Sequence, residues 1–123
     1  MGNKKVLIIE DEPLIAEMLK EYFELVDQEI ELIMAENLKE AQKRLAETEF
    51  DACICDSRLP DGSISELFEK EIFRCPVIIT TGYPDDPLLK TVRNKPEIKV
   101  HIMGKPYQPA DLYQRLKNLI EEN

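Results

Sequence analysis

Four places in the chain hold side chains suited to one piece of chemistry. They are the acidic run Glu10-Asp11-Glu12, the isolated Asp56, the hydroxyl-glycine pair Thr81-Gly82, and Lys105 before Pro106. Several carboxylates held close together repel, and a hard divalent cation such as Mg²⁺ relieves that repulsion. A cation held this way can bridge to a phosphoryl oxygen and neutralise developing charge. Lys105 can pair with a second oxygen as a point charge, and the Thr81 hydroxyl can bond a third. One carboxylate of the cluster can itself act as the nucleophile and form an acyl phosphate. Taken singly, each residue has a plain reading. Asp11 is an ordinary helix cap, Asp56 begins a turn, Thr81-Gly82 is turn chemistry and Lys105 is a solvated lysine. The chemistry requires a fold that gathers all four.

The surrounding pattern predicts such a fold. Five short apolar runs, Val6–Ile9, Glu31–Ala35, Ala52–Cys55, Val77–Thr80 and Val100–Met103, have the length of buried strands. Segments with helical spacing follow each run. The first puts Leu14, Ile15, Met18, Leu19, Tyr22 and Phe23 on one stripe, with Pro13 in its first turn. The second opens at Asn37 with Glu40 three residues on, and turns Leu38, Ala41 and Leu45 inward. The third opens with Ser63-Ile64-Ser65-Glu66, a capping box, and runs through Leu67, Phe68, Ile72 and Phe73. The fourth starts at Asp86-Pro87, carries Leu88, Leu89 and Val92, and stops near Asn94 ahead of Pro96. The last begins near Pro109 and carries Leu112, Leu116, Leu119 and Ile120. Five β-α units in succession predict a parallel sheet covered by helices on both faces. Residues just past the carboxyl ends of parallel strands share one edge, and in open α/β sheets that edge carries the site. Glu10-Asp11-Glu12, Asp56, Thr81 and Lys105 all fall there.

Composition excludes much else. The 123 residues suit one domain, 1–123, with no linker or low-complexity tract. Sixteen Lys and Arg against 25 Asp and Glu leave a net charge of −9, which opposes binding to nucleic acid or to an anionic membrane. No apolar run approaches the ~20 residues that span a bilayer. The start carries no signal-peptide cleavage pattern. Cys53, Cys55 and Cys75 are too few, with His101 the only histidine, for a metal site; they read as small buried thiols of a reducing cytosol. The expected location is cytoplasmic. No glycine-rich phosphate loop is present, so nucleotide binding is not expected.

Read together, the motifs resemble the receiver domain of two-component response regulators over essentially the whole chain. The matching stretches are Val6–Pro13, Asp51–Gly62, Pro76–Gly82 and Gly104–Tyr107. Any one is weak, but four in order at the family's spacing are specific. The resemblance implies a flavodoxin-like (βα)5 fold with strand order 2-1-3-4-5. It implies that Asp56 accepts a phosphoryl group from a sensor histidine kinase or a histidine phosphotransfer protein. It further implies that Asp11, Asp56 and the backbone carbonyl of Arg58 ligate Mg²⁺, with Glu10 completing the acidic pocket through a metal-bound water. Thr81 becomes the switch hydroxyl and Lys105 the phosphoryl-binding lysine, with a cis bond to Pro106. By the same resemblance Arg58 and Tyr83 border the path of attacking water, and the turn around Ile15 and Met18 is the docking surface for the donor. The output domain or protein is unspecified; the last two helices are the candidate face of a phosphorylation-driven homodimer.

The chain departs from the family at Ile102, where a Tyr or Phe usually stands, and in a short segment at Val92–Glu97. Both departures concern the output face and leave the phosphoryl chemistry alone. Alternation along the last strand turns His101 to the face opposite Ile102. Three other readings compete. An aspartyl-phosphate phosphatase would carry a second Asp two residues after its nucleophile, where this chain has Arg58. A flavin carrier would need a phosphate loop where Glu10-Asp11-Glu12 would repel the phosphate. A degenerate receiver, binding partners without phosphorylation, would have no need of all five site residues. The reading is therefore a switch, not an enzyme.

Overall fold

The computed structural model describes residues 3–93 and 97–121. The elements run β1 (Lys4–Ile9), α1 (Pro13–Val26), β2 (Ile30–Ala35), α2 (Leu38–Glu47), β3 (Ala52–Asp56), β4 (Arg58–Leu59), β5 (Gly62–Ser63), α3 (Ser65–Glu69), β6 (Val77–Thr81), α4 (Leu88–Arg93), β7 (Val100–Gly104) and α5 (Pro109–Glu121). The five long strands form one parallel sheet of order β2-β1-β3-β6-β7. This is the flavodoxin-like order expected from the sequence, with the turning point beside β1 and β3.

Alternation along each strand divides the interior in two. Leu7, Ile9, Cys53, Cys55, Val77 and Ile79 point to one face and pack with Leu38 and Ala41 of α2, Leu67 and Phe68 of α3, and Leu89 and Val92 of α4. Val6, Ile8, Ala52, Ile54 and Ile78 point to the other and meet Leu19 and Phe23 of α1 and Leu112, Leu116 and Leu119 of α5. Strands buried on both faces read as unbroken apolar runs for this reason. Ile102 packs into the first interior and Met103 against the second, so His101 faces the α5 side as expected. Burial there, with the charge of Arg115, lowers the His101 pKa below 6.5.

The structure corrects three local expectations. The first-helix stripe is narrower than its apolar residues imply. Ala16, Leu19 and Phe23 are buried and Ile15 and Tyr22 half-buried, but Leu14 is 85 % and Met18 43 % exposed. The third helix is five residues long and stops short of Ile72 and Phe73. It ends at Lys70, and Glu71 adopts φ 53°, which turns Ile72 and Phe73 into the core from a loop. Its expected capping box is half made. Glu66 Oε2 accepts from the Ser63 amide at 3.0 Å, but Ser63 Oγ accepts from Ser65 rather than Glu66. Ser63 lies in a two-stranded antiparallel ladder, β4 with β5, that the sequence reading did not contain. The expected helix stop near Asn94 and Pro96, the side chain of Leu88, and Met1-Gly2 at the start lie outside what the structure describes.

The ladder has a structural use. Asp61 at its turn accepts the amides of Leu38 at 2.8 Å and Lys39 at 3.1 Å, while Asn37 accepts that of Glu40 at 2.8 Å. Three orphan donors at the start of α2 are thereby satisfied, two of them from a segment 22 residues away or more. The segment after Asp56 is anchored at both ends, with Ser57 N donating to Thr80 O at 3.0 Å.

Candidate functional site

Strand register builds the site. Ile9 lies opposite Cys55, so Glu10 comes level with Asp56. Asp56 lies opposite Thr80, and Thr81 opposite Gly104. Asp11 and Lys105 leave their strands at the same edge. The Lys105 amide donates to Thr81 O at 2.7 Å, and the Lys105–Pro106 bond is cis.

Glu10, Asp11 and Asp56 each place a carboxylate oxygen within 4.8 Å of the others. The environments differ: Glu10 is buried, Asp56 half-buried and Asp11 exposed. Burial, with the nearby charge of Asp56 acting in the same direction and Lys105 opposing it, pushes the Glu10 pKa up to about 7. Asp11 is not a helix cap. The N-cap position of α1 is Glu12, whose side chain makes no capping bond, and Pro13 follows it. The plain structural reading of Asp11 therefore fails. The donor set is oxygen-only, anionic and convergent, which suits a hard divalent cation and not a soft one.

Asp56 is held at both oxygens. Oδ1 accepts the Arg58 amide at 3.3 Å, and Oδ2 accepts from Lys105 Nζ at 2.8 Å. Burial alone would lower the Lys105 pKa, but the Asp56 contact and the charges of Glu10 and Glu12 outweigh it and raise the value above 10.5. The ammonium thus stays charged beside the carboxylate. Thr81 is fully buried at the same edge, and its Oγ1 accepts from the Tyr83 amide at 3.0 Å. That bond ties the hydroxyl oxygen to its own loop. Tyr83 is exposed beside an open cavity of about 540 Å³ lined also by Arg58, Pro84 and Asp86.

All five expected side chains therefore stand on one rim. Two neighbours escaped the sequence reading. Asp86 pairs with the Arg58 guanidinium at 2.7 Å. Tyr107 lies close enough that burial, with the charges of Glu10 and Asp56, pushes its phenol up to about 12. Tyr107 belonged to a quoted motif, so its position was a signal; nothing local marked Asp86.

A parallel five-stranded sheet thus brings an acid cluster and a lysine together at its turning-point edge, the layout of an oxygen-rich cation and anion site. The chain belongs to the response regulator receiver domain family, whose model matches residues 6–117. It is 37 % identical over 86 residues to the response regulator protein PilR of Pseudomonas aeruginosa, covering 68 % of this chain and 19 % of that protein. The chain thus spans about a fifth of that relative's length. A CheY-like receiver domain from Methanospirillum hungatei superposes with a TM-score of 0.86 at 26 % identity, covering 98 % of this chain and 95 % of that one. The receiver domain of the sensor histidine kinase PA1611 from P. aeruginosa superposes at 0.78 with 17 % identity, covering 97 % and 98 %; that protein carries a magnesium ion in its active-site cleft. Receiver domains of response regulators are signalling modules. Among the described residues no helix is long and apolar enough to cross a membrane.

Proposed function

We propose that Asp56 is the phosphoryl acceptor of a cytoplasmic receiver domain over 1–123, and that phosphorylation is read through Thr81. The observation that carries this is the placement of one carboxylate within both the Glu10–Asp11 cluster and the reach of Lys105 Nζ, 2.8 Å away. Glu10, Asp11, Asp56 and the carbonyl of Arg58 are the residues that would hold Mg²⁺. When bound, the ion supplies charge neutralisation for the transferred phosphoryl oxygens.

The chain's own residues do the rest. Lys105 pins the Asp56 carboxylate in place and presents a permanent positive charge to the incoming group. The acceptor oxygen forms a bond to phosphorus as the donor's nitrogen–phosphorus bond breaks, which gives an acyl phosphate. The new charge draws the Thr81 hydroxyl inward at the expense of its bond from the Tyr83 amide. That exchange moves the segment leading into α4 and biases a two-state equilibrium there. Water later returns the free carboxylate. The domain is charged and discharged rather than turning over a small substrate, so it acts as a switch and not an enzyme. The donor is the phosphohistidine of a sensor histidine kinase or histidine phosphotransfer protein, docking near Ile15 and the exposed Met18. The signal passes to an output domain or partner protein, and α4 with α5 forms the candidate homodimer face. The acidic charge gives the unit no direct role at nucleic acid or membrane.

The test is an intact mass after incubation with Mg²⁺ and phosphoramidate. A gain of one phosphoryl group that disappears in Asp56→Asn supports the reading. No gain, with no metal-dependent spectral change, would favour a degenerate binding module. Turnover of a phosphate ester would favour a phosphatase.

A further inference from the structure

A second reactive pair lies at the opposite end of the sheet. Cys53, near the start of β3, and Cys75, just ahead of β6, place their sulfurs 3.4 Å apart. The backbone sets this contact, because Cys53 N donates to Pro76 O at 2.9 Å and so brings residue 75 alongside residue 53. Both are free thiols. A disulfide needs about 2.05 Å between sulfurs, so the side chains have roughly 1.4 Å to close.

The two sulfurs differ in access. Cys53 is fully buried, whereas Cys75 keeps 7 % of its surface exposed. Cys75 lines two openings beneath the sheet, of about 280 and 430 Å³, each shared with Phe50 and Arg74. A molecule of a few heavy atoms fits either. The contact with Cys53, together with the Arg74 backbone, lowers the Cys75 pKa against the opposing effects of burial and Asp51, while Cys53 is raised. Reactivity follows thiolate character and access, and both fall on Cys75. Cys55, two residues along the same strand, is an internal comparison. It is buried, its thiol donates to Asp56 O at 3.3 Å, and burial raises its pKa.

We propose that Cys53 and Cys75 form an oxidative modification site, in which a hydroperoxide reaching Cys75 from beneath the sheet converts the pair to an intramolecular disulfide. The Cys75 sulfur attacks the peroxide; a sulfur–oxygen bond forms, the oxygen–oxygen bond breaks, and the displaced oxygen leaves as water or an alcohol with the thiol proton. The Cys53 sulfur then attacks the Cys75 sulfur; a sulfur–sulfur bond forms, the sulfur–oxygen bond breaks, and the hydroxide leaves as water with the Cys53 proton. Two thiols lose two electrons and one peroxide gains them. The crosslink ties the strand that ends in Asp56 to the segment that enters the strand ending in Thr81. It is independent of whether Asp56 takes a phosphoryl group.

The test uses the whole chain, treated with hydrogen peroxide, then denatured, alkylated and weighed intact. The expected product is about 2 Da lighter before alkylation, takes up one alkyl group instead of three, and reverts with dithiothreitol. Peptide mapping should join the segments holding residues 53 and 75. Cys55→Ser should form the bridge as the parent does. Cys53→Ser should halt at a Cys75 sulfenic acid trapped by dimedone, and Cys75→Ser should keep its remaining thiols. Three alkylatable thiols at a peroxide dose that oxidises a free cysteine control would overturn the proposal. So would a bridge through Cys55, or one between two chains. The wild-type measurement decides the matter even if a serine variant folds poorly.

Discussion

Arg58 Nη2 lies 2.7 Å from Asp86 Oδ2, closing an ion pair along the open cavity beside Tyr83. One end sits two residues past Asp56, on a side chain that is 64 % exposed. The other sits in the turn that starts α4, where Asp86 N donates to Tyr83 O and Asp86 O accepts from Leu89 N. The pair therefore links the loop after Asp56 to the segment that follows Thr81.

An ion pair with one partner in water contributes about 1 kcal/mol or less to folding, although the Asp86 side chain is only 11 % exposed. Arg58→Ala, Asp86→Asn and the double variant should therefore unfold in urea within about 1 kcal/mol of the parent. The phosphoryl lifetime should respond more. Either single change frees the loop and admits water, so both should shorten the lifetime, and the double variant should match the singles. Additive effects would mean the two residues do not act as a unit.

The acid cluster predicts a metal-dependent stability. Three carboxylates within 4.8 Å gain from a cation that the unfolded chain cannot hold. Mg²⁺ at about 100 times its Kd should add about 2.7 kcal/mol, or about 10 °C in Tm for a chain of this length. A chelator should reverse the shift. Asp11→Asn should lose most of it at the same concentration; an unchanged shift would place the ion elsewhere.

Gly62 marks the tightest point near the site. Its φ is +144°, and an added Cβ would strike the Glu66 carboxylate and approach Leu38 Cδ1 to 2.9 Å. Gly62→Ala should cost about 1–3 kcal/mol in urea unfolding, since it adds backbone strain and displaces the Glu66 bond to Ser63. Gly82 has nothing within 4 Å of the same probe position. Gly82→Ala should stay within about 0.5 kcal/mol. Equal costs would remove the case for Gly62.

At the far end of α1, Tyr113 Oη donates to Asp27 Oδ2 at 2.8 Å, and Lys117 lies 3.5 Å from the same oxygen. Burial raises the Asp27 pKa, but the Tyr113 hydroxyl, the Glu29 amide and Lys117 together bring it below 3.8. A depressed folded pKa stabilises the fold above the unfolded value, and that contribution fades as pH falls through the folded value. Tyr113→Phe should therefore cost about 1–2 kcal/mol at pH 7. The gap to the parent should narrow once the pH drops below 3.8. A gap that holds constant into acid would assign the loss to packing alone.

How much of this was legible in the sequence depends on how local each signal was. Asp11, Asp56, Thr81 and Lys105 could be placed because each follows a buried run, and parallel strands bring their carboxyl ends together whatever the helices do. Asp61 capping α2, and Asp86 meeting Arg58, join residues at least 22 apart in the chain, and no local pattern encodes such a meeting. Ile72 and Phe73 misled because core residues of a loop can keep helical spacing by accident. Leu14 and Met18 misled differently. They are apolar at i and i+4, and spacing alone does not distinguish a face turned to the core from one turned to water. The expectation of small buried thiols was correct for all three cysteines, yet the approach of Cys75 to Cys53 came from the backbone bond of Cys53 N to Pro76 O.

The sheet has unequal walls. On one side stand α1 and α5, with 14 and 13 residues; on the other, α2 has ten and α3 only five. A helix of one or two turns has almost no cooperativity of its own and lasts only as long as its packing does. Any push delivered at the rim therefore meets a stiff partition and a compliant one. Displacement will run toward the compliant side.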